Sequence, residues 1–517
     1  CVLANRLSAS GRHKVLLLEA GGEANSIWVH IPLGYGRHFT NPKVNWLYWS
    51  EPGREWIKRK LRQPRGKILG GTSSINGLVY MRGQKEDYDH WRQLGNTGWS
   101  YNDVLPYFKK SQDQQRGEDD YHGVGGPLAV SDPMDLHPMA DAFIQAALDA
   151  GYKSNDDFNG AGQEGFGYIQ WTTRNGRRCS TAIGFLNPAR SRPNLTVAPK
   201  ALANRVLFDG TRAVGVEYRQ NGQVKRVVTK GEVIVSTGTY NSPQLLQISG
   251  IGPADLLRTH GIDVIADRGS VGENLQDHFN GTLIYRLNEP FTVNDIMNRW
   301  SSRISQGLQY FFQRRGLLGM GAAYAGGYMS VHPNTVTPDI QNLLMLFSSE
   351  LVGGPIDPFS GCGLVVGLMR PESRGTVMIS SADPESPPNI SPNYFTAPKD
   401  RETLVLALRK AREIMSQPAI RRYIVEEVRP GPNSTSDQEL LDFLENSGRS
   451  SYHPVGTCRM GMDNNAVVDP RLRVNGVHGL RVVDASIMPT LVSGNTNAPT
   501  IMIGEKASVM ILEDAGQ

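Results

Sequence analysis

The chain opens on CVLANRLSASGRHKVLLLEAGG, and no other stretch narrows the fold so far. From Cys1 to Leu7 the apolar residues recur at helical spacing, Ser10 and Gly11 break the helix, and Val15 to Leu18 is a short apolar run ending at Glu19, Ala20, Gly21 and Gly22. Helix, turn, buried strand and acid follow one another as in a doubly wound dinucleotide fold, where the acid hydrogen-bonds a ribose hydroxyl. Such folds place a G-x-G-x-x-G turn just before the helix to hold a pyrophosphate. Here that turn does not precede Cys1.

At 517 residues the chain exceeds one ordinary core, so two interleaved domains are expected. Apolar runs recur at Val15–Leu18, Val214–Tyr218, Val233–Val235 and Leu480–Val483. Unbroken runs of this kind suit a parallel sheet covered on both faces, and their wide separation predicts one sheet assembled from distant segments. Arg401 to Met415 has helical spacing, and Gly375 to Ser380 alternates like a half-exposed strand. The fold class is therefore α/β or, for the chain as a whole, α+β. A net charge of +4 and a single short basic run, Arg54 to Lys67, argue against a nucleic-acid partner. Cys1, Cys179, Cys362 and Cys458 are scattered, which predicts neither disulfides nor a metal site. No run is apolar enough to span a bilayer and no leader is evident, so the expected setting is cytoplasmic.

Three stretches carry chemistry. RGKILGGTSSINGLVYMRG, Arg65 to Gly83, offers backbone N–H groups, hydroxyls and an amide of the kind that line a phosphate or a polar heterocycle. STGTYNSPQLLQISGIGP, Ser236 to Pro253, reads as strand, turn and helix N-terminus, with Pro243 in the first helical turn. VGENLQDH follows it, and His278 reads there as a satisfied structural histidine. The third stretch joins SYHPVGTCRMG to LRVVDASIMPTLVSGNTNAPTIMIGEKA. His453 and Asn497 both sit at junctions between turns and elements. A neutral imidazole there can accept a hydroxyl proton while an amide holds the oxygen.

Taken together, the wording and order of these stretches resemble the glucose-methanol-choline (GMC) family of flavoproteins over nearly the whole chain, VGENLQDH, YHPVGTC and VDASIMP included. The resemblance implies a Rossmann-like FAD domain built from residues 1–130, 190–280 and 455–517, beside a substrate domain of residues 131–189 and 281–454 with a mainly antiparallel sheet. It implies cofactor contacts from Glu19, Ala20, Gly21, Gly70, Gly71, Thr72, Ser73, Asn76, Gly77, Asp484, Ala485, Asn495 and Thr496. His453 matches the family's base and Asn497 its partner at the substrate oxygen, with Tyr324 and Tyr452 in the substrate pocket. The implied reaction converts a primary or secondary alcohol to an aldehyde or ketone: His453 draws the hydroxyl proton while hydride passes to flavin N5. Electrons then go to a quinone or another carrier. Oxygen as acceptor, or a lyase or decarboxylase on the same fold, are the alternatives. Any membrane association would be peripheral, at the inner membrane.

Three departures from the family sharpen this reading. Members with covalent FAD carry a histidine where this chain has Ile75, so FAD is expected to be non-covalent. Choline-oxidising members carry a glutamate in the segment matching Tyr324 to Ser330, and losing that countercharge favours a neutral alcohol. The third departure is the opening itself. It predicts a natural protein longer by some tens of residues, and a 517-residue form that binds FAD poorly.

Overall fold

A computed structural model describes residues 1–333, 335–350 and 353–516. The helix Val2–Leu7 and the strand Val15–Glu19 form where the opening spacing placed them, and the strand pairs in parallel with Leu195–Pro199. A second parallel pair joins Val233–Val235 to Leu480–Val482. These four strands come from distant parts of the chain, as expected, but they form two separate two-stranded ladders rather than one continuous sheet.

The expectation for Val214–Tyr218 is corrected. Those residues lie in the strand Arg212–Gln220, the middle of an antiparallel three-stranded meander with Ala201–Asp209 and Gln223–Val228. Glu217 interrupts the apolar run, and only Ala213 and Gly215 of the strand are buried, which an antiparallel meander tolerates and a doubly covered parallel sheet does not. The helix Gly238–Ile248 also begins a turn earlier than expected, which puts Pro243 inside it. Gly238 starts the helix because its left-handed φ of 86° lets its N–H turn to the Asp484 carboxylate, 2.9 Å away.

The largest sheet has seven strands and is antiparallel throughout. Its order is Ile424–Arg429, Phe279–Leu287, Gly361–Leu368, Ile340–Met345, Ala325–Met329 and Gly165–Tyr168, with Arg449–Ser450 beside Phe279–Leu287. The period of two along a strand sorts its residues. Cys362, Leu364 and Val366 share a buried core with Leu404, Leu408 and Ala411 of the helix Pro398–Met415. Val365, and Leu343 and Met345 on the neighbouring strand, point the other way and line a cavity of about 2820 Å³. A second core joins the helix Asn497–Asp514 to the helix Tyr101–Ser111, through Met502, Ile503, Val104 and Phe108.

Candidate active site

The cavity lies where several strands end. Glu19, the last residue of its strand, and Asp484, just beyond Leu480–Val482, both line it. Crevices beyond the carboxyl ends of parallel strands are the usual ligand sites of open α/β sheets. Ala20, Gly70, Gly71, Thr72, Ser73, Asn76, Gly77, Ala485, Asn495, Thr496 and Asn497 line it as well, together with Tyr452 and His453. Gly21 and Tyr324 stand outside the lining.

The nucleotide-facing wall is held by backbone. Glu19 Oε1 accepts the Gly21 N–H at 2.7 Å, and burial pushes the Glu19 carboxyl up to about 7. Gly21 packs so closely on the Lys67 carbonyl that a Cβ would collide with it, and the Leu69 N–H donates to the Gly22 carbonyl at 2.9 Å. This brings the end of the first strand against the glycine turn. Gly70 and Gly71 have φ of 89° and 56°, and a Cβ on Gly71 would meet only open space. The turn is fixed from behind by Arg178, which donates to the carbonyls of Ser73 (3.1 Å) and Asn76 (2.7 Å) and to Asn76 Oδ1 (2.7 Å). Full burial pushes the Arg178 guanidinium down to about 9. Asp484 ties the two late segments together: Oδ1 accepts from the Ser486 N–H, and Oδ2 from the Gly238 N–H and the Ser242 hydroxyl. Glycine amides, hydroxyls and the carboxylates of Glu19 and Asp484 along a single long cavity fit a dinucleotide.

The opposite end of the cavity is built around His453. Residues 449–455 run antiparallel to residues 276–280, but residues 277 and 278 oppose residues 451–454, so the second segment bulges. Tyr452 takes the strain with φ of 65°, rare for a bulky residue and held here by Arg65 Nη2 on its carbonyl at 2.6 Å. The His453 N–H donates to buried Asp277 Oδ1 at 2.8 Å. The bulge presents the imidazole to the cavity.

The hydrogen bonds of that ring fix its tautomer. His278 Nε2 lies 3.1 Å from the Met369 carbonyl, which can only accept, so Nε2 carries the proton. Burial pushes His278 down to about 3, so the ring is neutral and its Nδ1 is a bare acceptor. His453 Nδ1, 3.0 Å away, must then be the donor, and His453 Nε2 is left unprotonated. Burial holds His453 itself well below the usual histidine range, with His278 and Arg65 adding to the effect. Its Nε2 accepts from Asn495 Nδ2 at 3.0 Å, and Asn495 Oδ1 accepts from Gln341 Nε2 at 3.3 Å, which orients the amide.

Sequence reasoning placed His453 at this point and read Asn495 as a cofactor contact. It is Asn495 that touches the imidazole. Asn497 lines the same cavity as the first residue of its helix, and among the described residues no hydrogen bond links it to His453. The Tyr324 hydroxyl is turned away, donating to the Asp135 carbonyl at 2.6 Å, and its ring packs edge-on against Trp171. His278 and Arg178 were missed as working residues. His278 and its neighbour Asp277 both reach the His453 segment, a long-range pairing that nothing local in the sequence announces. No sequence signal marks Arg178 either.

Such a fold, with a proton acceptor of fixed tautomer at one end of a dinucleotide-shaped cavity, defines a dinucleotide-dependent oxidoreductase. Comparison with known proteins gives the family. Residues 17–280 and 371–504 match the two GMC oxidoreductase models, and the chain belongs to that family. It is 42% identical over 519 residues to an alcohol dehydrogenase [acceptor] of Pseudomonas putida, covering 99% of this chain and 93% of that one. It is also 42% identical to the mitochondrial choline dehydrogenase of Homo sapiens, over 99% and 87% of the two chains. Among solved structures, pyridoxine 4-oxidase from Mesorbium loti matches with a TM-score of 0.89 at 30% identity, over 98% of this chain and 96% of that one. A formate oxidase variant from Aspergillus oryzae, studied for its FAD modification, matches with a TM-score of 0.94 at 25% identity, over 100% and 96%. The cofactor of this oxidoreductase is FAD.

Proposed function

We propose that this protein oxidises a neutral primary or secondary alcohol to the aldehyde or ketone and passes the electrons to a quinone or a similar non-oxygen carrier. The observation that carries the reading is the bare Nε2 of His453, held as a neutral acceptor at the cavity wall. Bound FAD supplies the hydride acceptor. The alcohol hydroxyl takes the place of the Asn495 amide on Nε2, and its proton moves to that nitrogen. His278, anchored on the Met369 carbonyl, keeps the imidazole plane in position. Asn497, at the first turn of an 18-residue helix, holds the substrate oxygen, and the positive end of that helix favours developing negative charge nearby. Glu19 would bind the adenosine ribose, while the Gly70–Ser73 turn, Asn76, Gly77, Asp484, Ala485 and Thr496 would hold the rest of the dinucleotide.

A neutral substrate is supported by the charges of the cavity. Its lining carboxylates are Glu19, Glu232, Asp484 and Asp514, and none comes from the seven-stranded sheet. The sheet contributes Leu343, Met345 and Val365, which suit a carbon chain or ring, beside polar Asn280, Gln341 and Ser450 and the cation of Arg449. A quaternary ammonium there would lack a countercharge. Ile75, in place of a histidine, is buried among Ile68, Leu69 and Ala182, in keeping with non-covalent FAD. The division into an FAD domain and a substrate domain fits the two large cores, one under the antiparallel sheet and one around the helix Asn497–Asp514.

The test is anaerobic mixing with aliphatic, aromatic and polyol alcohols while flavin absorbance is followed. Bleaching by uncharged alcohols is expected, and bleaching by choline alone would overturn the substrate class. Stoichiometric peroxide in air would replace the quinone with oxygen.

A further inference from the structure

Arg449 brings a cation to the cavity wall without a counter-ion. It pairs directly across the sheet with Asn280, so both side chains leave the sheet on one face, and both line the cavity. Arg449 Nη2 donates to Thr282 Oγ1 at 2.9 Å. The neighbouring Arg429 has a carboxylate of its own, Asp357 at 2.6 Å, whereas among the described residues no carboxylate pairs with Arg449. Holding a cation out of bulk water with no partner costs stability, and a protein tolerates that cost where a ligand completes the pair. Tyr35 adds a neutral donor. It lines the cavity close enough to the guanidinium to feel its charge, and its hydroxyl has no hydrogen-bond partner among the described residues.

One row of cross-strand pairs connects this cation with the base. Arg449 pairs with Asn280, Asn280 with Gly367, and Gly367 with Gln341, whose amide holds Asn495 against His453. Three strand spacings separate Arg449 from Gln341, about 14 Å. The adjacent row on the same face is Thr282, Val365 and Leu343, which is mostly apolar. An alcohol with its hydroxyl on His453 Nε2 lies along that strip, and a chain of several carbons carries its far end to Arg449.

We infer that Arg449 and the Tyr35 hydroxyl receive a second oxygen of the substrate, so that the site selects a bifunctional alcohol: a diol, hydroxy ether or hydroxy ketone whose second oxygen stands several carbons from the carbinol. The lone pairs of a neutral oxygen suffice as acceptors, as the Thr282 hydroxyl already shows. The substrate class rests on the proposed alcohol oxidation, whereas the oxygen subsite is also read by binding alone, so the two fail separately.

The experiment is anaerobic flavin reduction in the FAD-loaded protein by four compounds: hexanol, hexanediol with its hydroxyls at the two ends, the monomethyl ether of that diol, and the corresponding hydroxyhexanoate. The diol and the ether alcohol are expected to exceed hexanol about tenfold in kcat/KM, chiefly through KM. Arg449→Met brings those ratios to within about twofold of one, and Tyr35→Phe lowers them about threefold. A general loss of rate leaves a ratio unchanged, so damage to the fold does not imitate this result. If Arg449→Met does not fold, Tyr35→Phe decides the matter. The inference is overturned if hexanol matches the diol and the ether alcohol, if their advantage survives Arg449→Met, or if hydroxyhexanoate is preferred tenfold over both, which would make Arg449 a carboxylate site. Should no alcohol reduce the flavin, the alcohol reading fails, and calorimetric titration with the three neutral compounds still tests the subsite: tighter binding of the diol and the ether alcohol upholds it, and equal binding of all three overturns it.

Discussion

The two ends of the cavity are built differently. At the His453 end, side chain holds side chain: Gln341 orients Asn495, Asn495 and His278 bracket the imidazole, and His278 is anchored on a carbonyl. At the Glu19 end, backbone does the holding, with glycines in left-handed conformations and one carboxylate half-buried against an amide. The difference teaches that the reacting end needs one proton in one place, whereas the nucleotide end needs many weak donors along a length. Their responses to pH are opposite in sign. Burial lowers His278 and His453, so their contribution to stability is complete above 6.5 and is lost as pH falls toward the folded values. Burial raises Glu19 from 4.5 to about 7, so its contribution is complete below 4.5 and is lost as pH rises through 7.

Substitutions sharpen the contrast. His453→Ala should slow alcohol-dependent flavin reduction by about 10²-fold or more without loss of FAD, and a slowing below tenfold would remove the base from the account. His278→Ala should cost about tenfold or more in the same single-turnover rate by releasing the His453 tautomer. It should also introduce a pH dependence near the ordinary histidine range, where the wild type stays flat. Asp484→Asn should act on the other end, weakening FAD retention by about 1–3 kcal/mol with the chemistry of the loaded enzyme little changed. Glu19→Gln should have the smallest effect: a rise of about 1–2 °C in melting temperature above pH 7, fading below pH 4.5. A stability profile that moved the other way would mean that Glu19 is not held in its protonated form.

Legibility in the sequence followed the same division. The opening strand, the glycine turn and the helix at Asn497 are local patterns, and each appears where its own residues put it. Within Asn495, Thr496 and Asn497 the sequence shows two amides, but which one meets the imidazole depends on where the helix starts, and it starts after Asn495. His278 carries no local sign of its task, because its meaning comes from antiparallel pairing with a segment 175 positions away and from the bulge in that pairing. Val214–Tyr218 shows the converse error, since an apolar run reads the same in a parallel sheet as in a meander whose partners lie close by in sequence. The apolar stripe of the helix Trp300–Gln313 has helical spacing too, but only packing shows that it faces outward.

The central claim is that His453 stands neutral with its proton on Nδ1 and its Nε2 bare. Nitrogen NMR of ring-¹⁵N-labelled histidine, with His453→Asn to assign the signal, reads this directly. The account expects a neutral ring with a protonated Nδ1 and an unprotonated Nε2 at pH 7, changing on His278→Ala. A proton on Nε2, or a doubly protonated ring, would contradict it.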